Sequence, residues 1–320
     1  MNPNFKKYLL TISEASECNE IEVIQSLWSG YGKISRIELL EPLIKTVVVK
    51  HISLNQYSEH PRGWNTDISH ARKVKSYEVE THWYKYWADR CTAASKIPQF
   101  LGSFSEGGDQ WIVLEDLDTK FPSRKGQLDL SEVKVCLRWL AHFHSKFLHS
   151  QPKGLWKVGT YWHLETRPDE WNQIEHIKLK AAAHQIDEKL NNCKYQTSVH
   201  GDAKVANFCF SDDGKEVAAV DFQYVGGGCG IKDVAYFLGS CMSGGECEKY
   251  ENELLDYYFK ELKKSLESSD VDLIELEQEW RYLYPFACTD FMRFLLGWMP
   301  SHQKINDYNM KMIDEVLGSL

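Results

Sequence analysis

Between Val199 and Phe222 the chain carries four side chains whose types and spacing suit one kind of chemistry. They are Asp202, Lys204 two residues on, Asn207 five residues on, and Asp221 nineteen residues beyond Asp202. Phosphoryl transfer uses such a mixture: one carboxylate orients a hydroxyl and accepts its proton, a carboxylate and an amide oxygen hold magnesium, and a cation faces the transferred charge. Singly, each has a plainer reading: Asp202 as a cap, Asn207 as a turn residue and His200 as a packing group. The combination outweighs those readings.

The elements around these residues must then bring them together. Asn207–Phe210 and Val217–Phe222 read as two short strands joined by the turn Ser211-Asp212-Asp213-Gly214. Such a hairpin returns Asp221 to the side of Asn207, so that two oxygen ligands from separate segments share hard cations. Upstream, residues from about Ile21 to Leu54 read as strands, with Ser29-Gly30-Tyr31-Gly32 as a turn, Pro42 as an interruption and Thr46–Lys50 as a β-branched run. Residues 55–70 have loop composition, a helix follows over about Ser69–Cys91 with Tyr77, Tyr84 and Trp87 near one face, and Trp111–Leu114 is a further short strand. Beyond residue 117 helical patterns dominate: Leu130–Leu148 with Ser131 or Asp129 as cap, 174–190, Tyr250–Ser265 and Leu273–Leu296. The expected fold class is therefore α+β, with a small strand-rich half carrying one main helix and a larger, mainly helical half.

The run His200-Gly201-Asp202-Ala203-Lys204-Val205-Ala206-Asn207 followed by Asp221-Phe222-Gln223 resembles the aminoglycoside phosphotransferase and choline kinase group of the protein-kinase-like superfamily. Within it the pattern is most similar to the ecdysteroid-kinase-like branch, where an HGDxKxxN loop and DFQ also occur. The resemblance implies a two-lobed protein-kinase-like fold: an antiparallel-sheet nucleotide-binding lobe over 1–116, and a catalytic and substrate-binding lobe over 117–320. It further implies ATP and Mg2+ as cofactors and a hydroxyl of a small molecule as acceptor. By position, Asp202 would be the catalytic base, Lys204 would face the transferred phosphate, and Asn207 and Asp221 would be the metal ligands. His200 and Gln223 take supporting roles. Asp233, in Ile231-Lys232-Asp233-Val234-Ala235, matches a family segment and would open a helix or bond the catalytic-loop amides.

Further parts are then expected in the first half. Lys50, closing the run Val47-Val48-Val49, stands where a strand lysine would neutralise nucleotide phosphates, although an edge-strand charge has the same look. Glu80 is the expected acidic partner, with Glu78 as competitor. Glu115-Asp116-Leu117 is the expected hinge, with Glu115 and Leu117 presenting backbone groups to adenine. Gly30 and Gly32 allow close approach to phosphates but would serve any tight turn. Gly226-Gly227-Gly228 is expected as a short turn in place of a long regulatory loop. His142 and His144, two apart on a helix, do not share a face, and His144 reads as structural.

Bulk properties set the remaining bounds. A formal charge of −9 argues against nucleic acid as partner. The nine cysteines are scattered, odd in number and free of any CxxC pair, as in a reducing compartment. The N-terminus lacks a leader's apolar run and no stretch reaches the roughly 18 apolar residues that span a bilayer, so a cytoplasmic protein with no membrane partner is expected. A hydrolase is disfavoured because no Gly-x-Ser-x-Gly elbow is present. The other reading is a catalytically silent, nucleotide-binding regulator with the same fold. The aromatics of 155–171 would either stack on a cyclic acceptor or pack in the interior, and the acceptor itself is not written in the sequence.

Overall fold

The computed structural model describes residues 1–27, 30–41, 44–54 and 67–320. It divides into two compact units, Met1–Asp89 with Ile97–Lys120, and Arg90–Lys96 with Phe121–Leu320. Residues Leu117–Lys120 thus stay with the first unit, and the short segment Arg90–Lys96 joins the second.

The first unit is built on a five-stranded antiparallel sheet, ordered β1-β2-β3-β5-β4. The strands are β1 (Glu17–Ser26), β2 (Gly32–Leu40), β3 (Thr46–Ser53), β4 (Phe100–Glu106) and β5 (Asp109–Glu115). Strand residues alternate between faces, and β3 uses this. Val47 and Val49 join Ile37, Leu39, Trp111 and Val113 in an apolar cluster under helix α1 (Pro3–Ser13), while Lys50 turns to the other face. Helix α1 was not read from the sequence. Asn2 caps it by accepting from the amides of Asn4 and Phe5, Pro3 opens it, and Phe5 and Leu9 are its buried face. Helix α2 spans Asp67–Tyr86, ending earlier than the pattern suggested, and a short 3-10 turn over Ala88–Arg90 follows. Tyr77, Tyr84 and Trp87 are buried as the periodicity required. The expectations for Ser29 and Pro42, and most of the 55–70 loop, lie outside the described residues.

The second unit is mainly helical: α3 (Leu130–Phe147), α4 (Pro168–Asn172), α5 (Ile177–Asn191), α6 (Ile231–Cys241), α7 (Gly244–Leu266), α8 (Leu273–Trp298) and α9 (Asp307–Ser319). Asp129 rather than Ser131 caps α3, in a reciprocal box with Glu132. Two small antiparallel pairs are set among the helices. β7 (Phe208–Phe210) and β8 (Val217–Ala219) form the expected hairpin, with Phe208 opposite Ala219. β6 (Thr197–Val199) pairs with β9 (Gly226–Gly228), so the triple glycine is a strand and not a turn. Glycine is needed there for closeness: a Cβ on Gly226 would lie 2.3 Å from the Trp156 carbonyl oxygen, and one on Gly227 2.7 Å from that of Lys157. Trp162 is fully buried and Trp156 nearly so, which makes these two of the 155–171 aromatics packing residues. Among the described residues no helix is long and apolar enough to cross a membrane.

Candidate active site

The loop after β6 carries the candidate catalytic residues of the second unit. Gly201 has φ +80°, and a Cβ there would lie 2.2 Å from the Tyr224 carbonyl oxygen, so only glycine fits between His200 and Asp202. Asp233, in the first turn of α6, grips the loop by accepting from the amides of His200 at 2.6 Å and Gly201 at 3.0 Å. His144 on α3 supports that carboxylate, with Nε2 3.1 Å from Asp233 Oδ2 and Nδ1 2.7 Å from the Tyr258 hydroxyl. The His200 ring bridges the loop to the hairpin: Nε2 donates to the Val220 carbonyl at 3.0 Å, and Nδ1 accepts from the Asp202 amide at 3.3 Å. That bonding fits a neutral imidazole with its proton on Nε2.

The Asp202 carboxylate is held from two sides. Oδ2 accepts from Lys204 Nζ at 2.9 Å and Asn207 Nδ2 at 3.1 Å. Oδ1 accepts from the Tyr236 hydroxyl at 3.0 Å. Asn207 Nδ2 also donates to the Asp202 carbonyl at 2.8 Å, which turns the amide oxygen away from Asp202. The hairpin does what its spacing implied: the Val220 amide donates to the Asn207 carbonyl at 3.0 Å, and Asp221 follows directly. Asp221 has φ +69°, a conformation that costs a non-glycine residue about 1–3 kcal/mol and recurs at functional sites. Gln223 Nε2 donates to Asp221 Oδ1 at 2.7 Å. Asn207 and Asp221 thus offer hard oxygen donors from adjoining segments, the small protein set that magnesium uses when substrate phosphates complete its shell.

The electrostatics follow from burial and neighbours. Burial pulls the Lys204 ammonium down, but the carboxylates of Asp202 and Asp221 outweigh it and hold its pKa above the ordinary lysine value. The phenols of Tyr236 and Tyr161 are pushed up by burial and by the Asp202 charge, so both remain protonated donors. Tyr236 was not found from the sequence. It stands three residues after Asp233 on α6, so the two share a helix face, and that i, i+3 relation was the available signal. Cysteine chemistry has no support: burial pushes the Cys91 and Cys247 thiols up to about 12, where little thiolate exists.

In the first unit, Lys50 Nζ lies 2.7 Å from Glu80 Oε2, both nearly fully buried, while Glu78 is exposed. Gly30 and Gly32 have φ +73° and +135° in the turn between β1 and β2, and a Cβ on Gly32 would lie 2.0 Å from the His51 carbonyl oxygen. Glu115 ends β5, its amide donating to the Gln99 carbonyl at 2.9 Å. Leu117 is buried at the start of a short 3-10 turn and its carbonyl accepts from the Lys120 amide at 3.0 Å. Between them, Asp116 pairs with Arg36 at 2.8 Å.

The profile of the Ecdysteroid kinase-like family matches residues 158–271, the stretch that contains the loop, the hairpin and α6. Among solved structures, amicoumacin kinase hAmiN in complex with AMP-PNP, Ca2+ and Ami is similar with a TM-score of 0.53 at 11% identity, over 98% of this chain and 92% of that one. The aminoglycoside phosphotransferase APH(3'')-Id from Streptomyces rimosus, in complex with ADP and streptomycin, reaches 0.49 at 11% identity, over 89% and 99%. The aminoglycoside-3'-phosphotransferase of type VIII reaches 0.45 at 14% identity, over 84% and 93%. At such identities the first of these speaks for the fold alone, and the fold is protein-kinase-like, as the sequence resemblance implied. A search of curated protein sequences found no match.

Proposed function

We propose that this chain, protein-kinase-like in fold and matching the ecdysteroid kinase-like family over residues 158–271, is a phosphotransferase that moves the γ-phosphate of ATP to a hydroxyl of a small molecule. The observation that carries this reading is the Asp202 carboxylate, held by Lys204 and Asn207 on one oxygen and by Tyr236 on the other, with Asp221 delivered beside Asn207 by the hairpin.

In the reaction the acceptor oxygen bonds to the γ-phosphorus while its proton passes to Asp202. The bond from that phosphorus to the β,γ-bridging oxygen breaks, and its electron pair leaves with ADP. Lys204 faces the transferred phosphoryl oxygens. Asn207 and Asp221 are the residues to hold magnesium, which when bound neutralises charge on the β- and γ-phosphates. Lys50, oriented by Glu80, contacts the nucleotide phosphates, the Gly30–Gly32 turn lets backbone approach them, and Glu115 to Leu117 meets adenine. Asp233, His200 and Gln223 hold the loop and Asp221 in place. A cytoplasmic setting fits the many cysteines.

The reading is tested by thermal unfolding with ATP, with and without magnesium, in wild type and Asp221→Ala. Magnesium-dependent stabilisation that is lost in the variant is the expected result. No stabilisation of the wild type by any nucleotide would reject the reading. Stabilisation without transfer to any of a broad set of alcohols would favour a silent, nucleotide-binding regulator instead.

A further inference from the structure

The two oxygens of Asp202 face different company. On the Oδ2 side stand Lys204 and Asn207, with Asp221 near enough to raise the lysine's pKa. That is the flank for phosphate and metal in the proposed reaction, on which this inference rests. On the Oδ1 side stands Tyr236, whose ring packs against Phe291 at 4.8 Å and Tyr161 at 5.7 Å between centroids. The proposed reaction leaves this second flank for the acceptor hydroxyl.

One cation lies there that neither the fold nor the phosphate chemistry uses. Lys304, in the connection between α8 and α9, holds Nζ 5.4 Å from the centroid of the Tyr236 ring and 5.5 Å from that of Phe291. No carboxylate among the described residues lies within ion-pair distance of it. Burial holds its pKa below the ordinary lysine value, with the nearby Asp202 charge opposing and Lys204 adding to the effect. Among the described residues, several lysines drawn in from solvent have a carboxylate partner, as Lys50 has Glu80 and Lys125 has Glu132. An ammonium kept on two aromatic rings beside a catalytic carboxylate gains most when an anion arrives.

We infer that Lys304 is a specificity-determining residue, and that the acceptor is a hydroxylated compound carrying an acidic group, a carboxylate or an acidic ester, which Lys304 binds while the hydroxyl meets Asp202. Tyr236 and Phe291 form the platform that fixes the ammonium, and Tyr161 extends the same wall.

The test uses the full chain, MgATP and a matched set of alcohols on skeletons of one to four rings, each offered as the plain alcohol, the carboxylate and the amine. Phosphoryl transfer from labelled ATP gives kcat/KM for each form. The carboxylate form should exceed the plain alcohol at least about tenfold, and the amine form should be the poorest. In Lys304→Met the ratio of carboxylate to alcohol should fall to about one with the Kd for MgATP unchanged, and in Lys304→Glu the amine form should overtake the carboxylate. Lys311→Met, an exposed lysine on α9 paired with Glu248, should keep the wild-type ratio. A wild type indifferent to acceptor charge, or a Lys304→Met variant that keeps the preference, overturns the inference. So does a Lys304→Met variant that loses MgATP affinity, since Lys304 would then serve the nucleotide. Failure of the wild type to bind MgATP rejects the kinase reading itself, a separate outcome.

Discussion

At the scale of single residues, the proposed catalytic carboxylate gains its character from what ties it down. Asp202 is 6% exposed, and its two oxygens accept three side-chain hydrogen bonds. Tyr236 supplies one of them from a buried position, and its ring contacts with Trp162, Tyr161 and Phe291 would survive loss of the hydroxyl. A hydrogen bond to a charged group contributes about 1.5–3 kcal/mol. Tyr236→Phe should therefore cost about that much in urea unfolding and also lower kcat, with KM for ATP little changed. A loss of stability with kcat unchanged would instead mark Tyr236 as a packing residue. The Lys50–Glu80 pair is of another kind, since both side chains are almost wholly buried. Lys50→Ala breaks the pair around a buried carboxylate, which costs about 3–5 kcal/mol. Urea titration should show that loss, and a variant of wild-type stability would mean that Glu80 is readily solvated.

At the scale of elements, much of the site was legible because short-range spacing carried it. The turn Ser211–Gly214 between two apolar runs located the hairpin, and the hairpin located Asp221 beside Asn207. The β-branched run Thr46–Lys50 located β3 and Lys50. Helix α1 was missed because its opening was weighed only as a leader, although Asn2 and Pro3 are a cap and a first-turn proline. The triple glycine was misread because glycine suggests turns locally, whereas here it answers to the Trp156 and Lys157 carbonyls, a contact of chain segments roughly 70 residues apart that no local pattern reveals. The loop is tightly constrained: Gly201→Ala sets a Cβ against the Tyr224 carbonyl at positive φ, and should cost about 3 kcal/mol in urea unfolding. Burial also holds the imidazoles of His51, His142 and His302 below the ordinary value of 6.5. Such groups stay neutral in the fold while the unfolded chain takes up protons, so stability falls as pH drops below 6.5. Unfolding at pH 7.5 and 5.5 should show the decline, with a shallower slope in His51→Gln. An unchanged slope would remove His51 from this account.

At the scale of the whole molecule, the candidate groups are divided between the two compact units. Lys50, Glu80, Glu115 and the Gly30–Gly32 turn belong to the first, and Asp202, Lys204, Asn207, Asp221 and Lys304 to the second. The α+β class was readable from the order of local patterns, because β-branched runs cluster before residue 117 and helical periodicity follows it, while the two-lobed arrangement was implied by the family resemblance. The identity of the acceptor was not, since the residues proposed to meet it, Tyr236, Phe291 and Lys304, follow the Asp202 loop on later elements, and no local pattern links them to it. A ligand that binds only the folded state stabilises it by about 2.7 kcal/mol at a hundredfold excess over Kd. MgATP should therefore raise the unfolding midpoint with a dependence on concentration, and both Lys50→Met and Asp221→Ala should weaken the effect. A shift sensitive to only one of them would confine nucleotide binding to a single unit.

The most direct test compares wild type with Asp202→Asn in transfer of labelled phosphate from ATP to an accepted alcohol, at matched MgATP occupancy. The substitution keeps the shape of the side chain and removes the base. Turnover should fall by about 10²–10⁴-fold with the Kd for MgATP nearly unchanged. Turnover in Asp202→Asn within a few-fold of wild type would contradict the assignment of Asp202 and the phosphotransferase built on it.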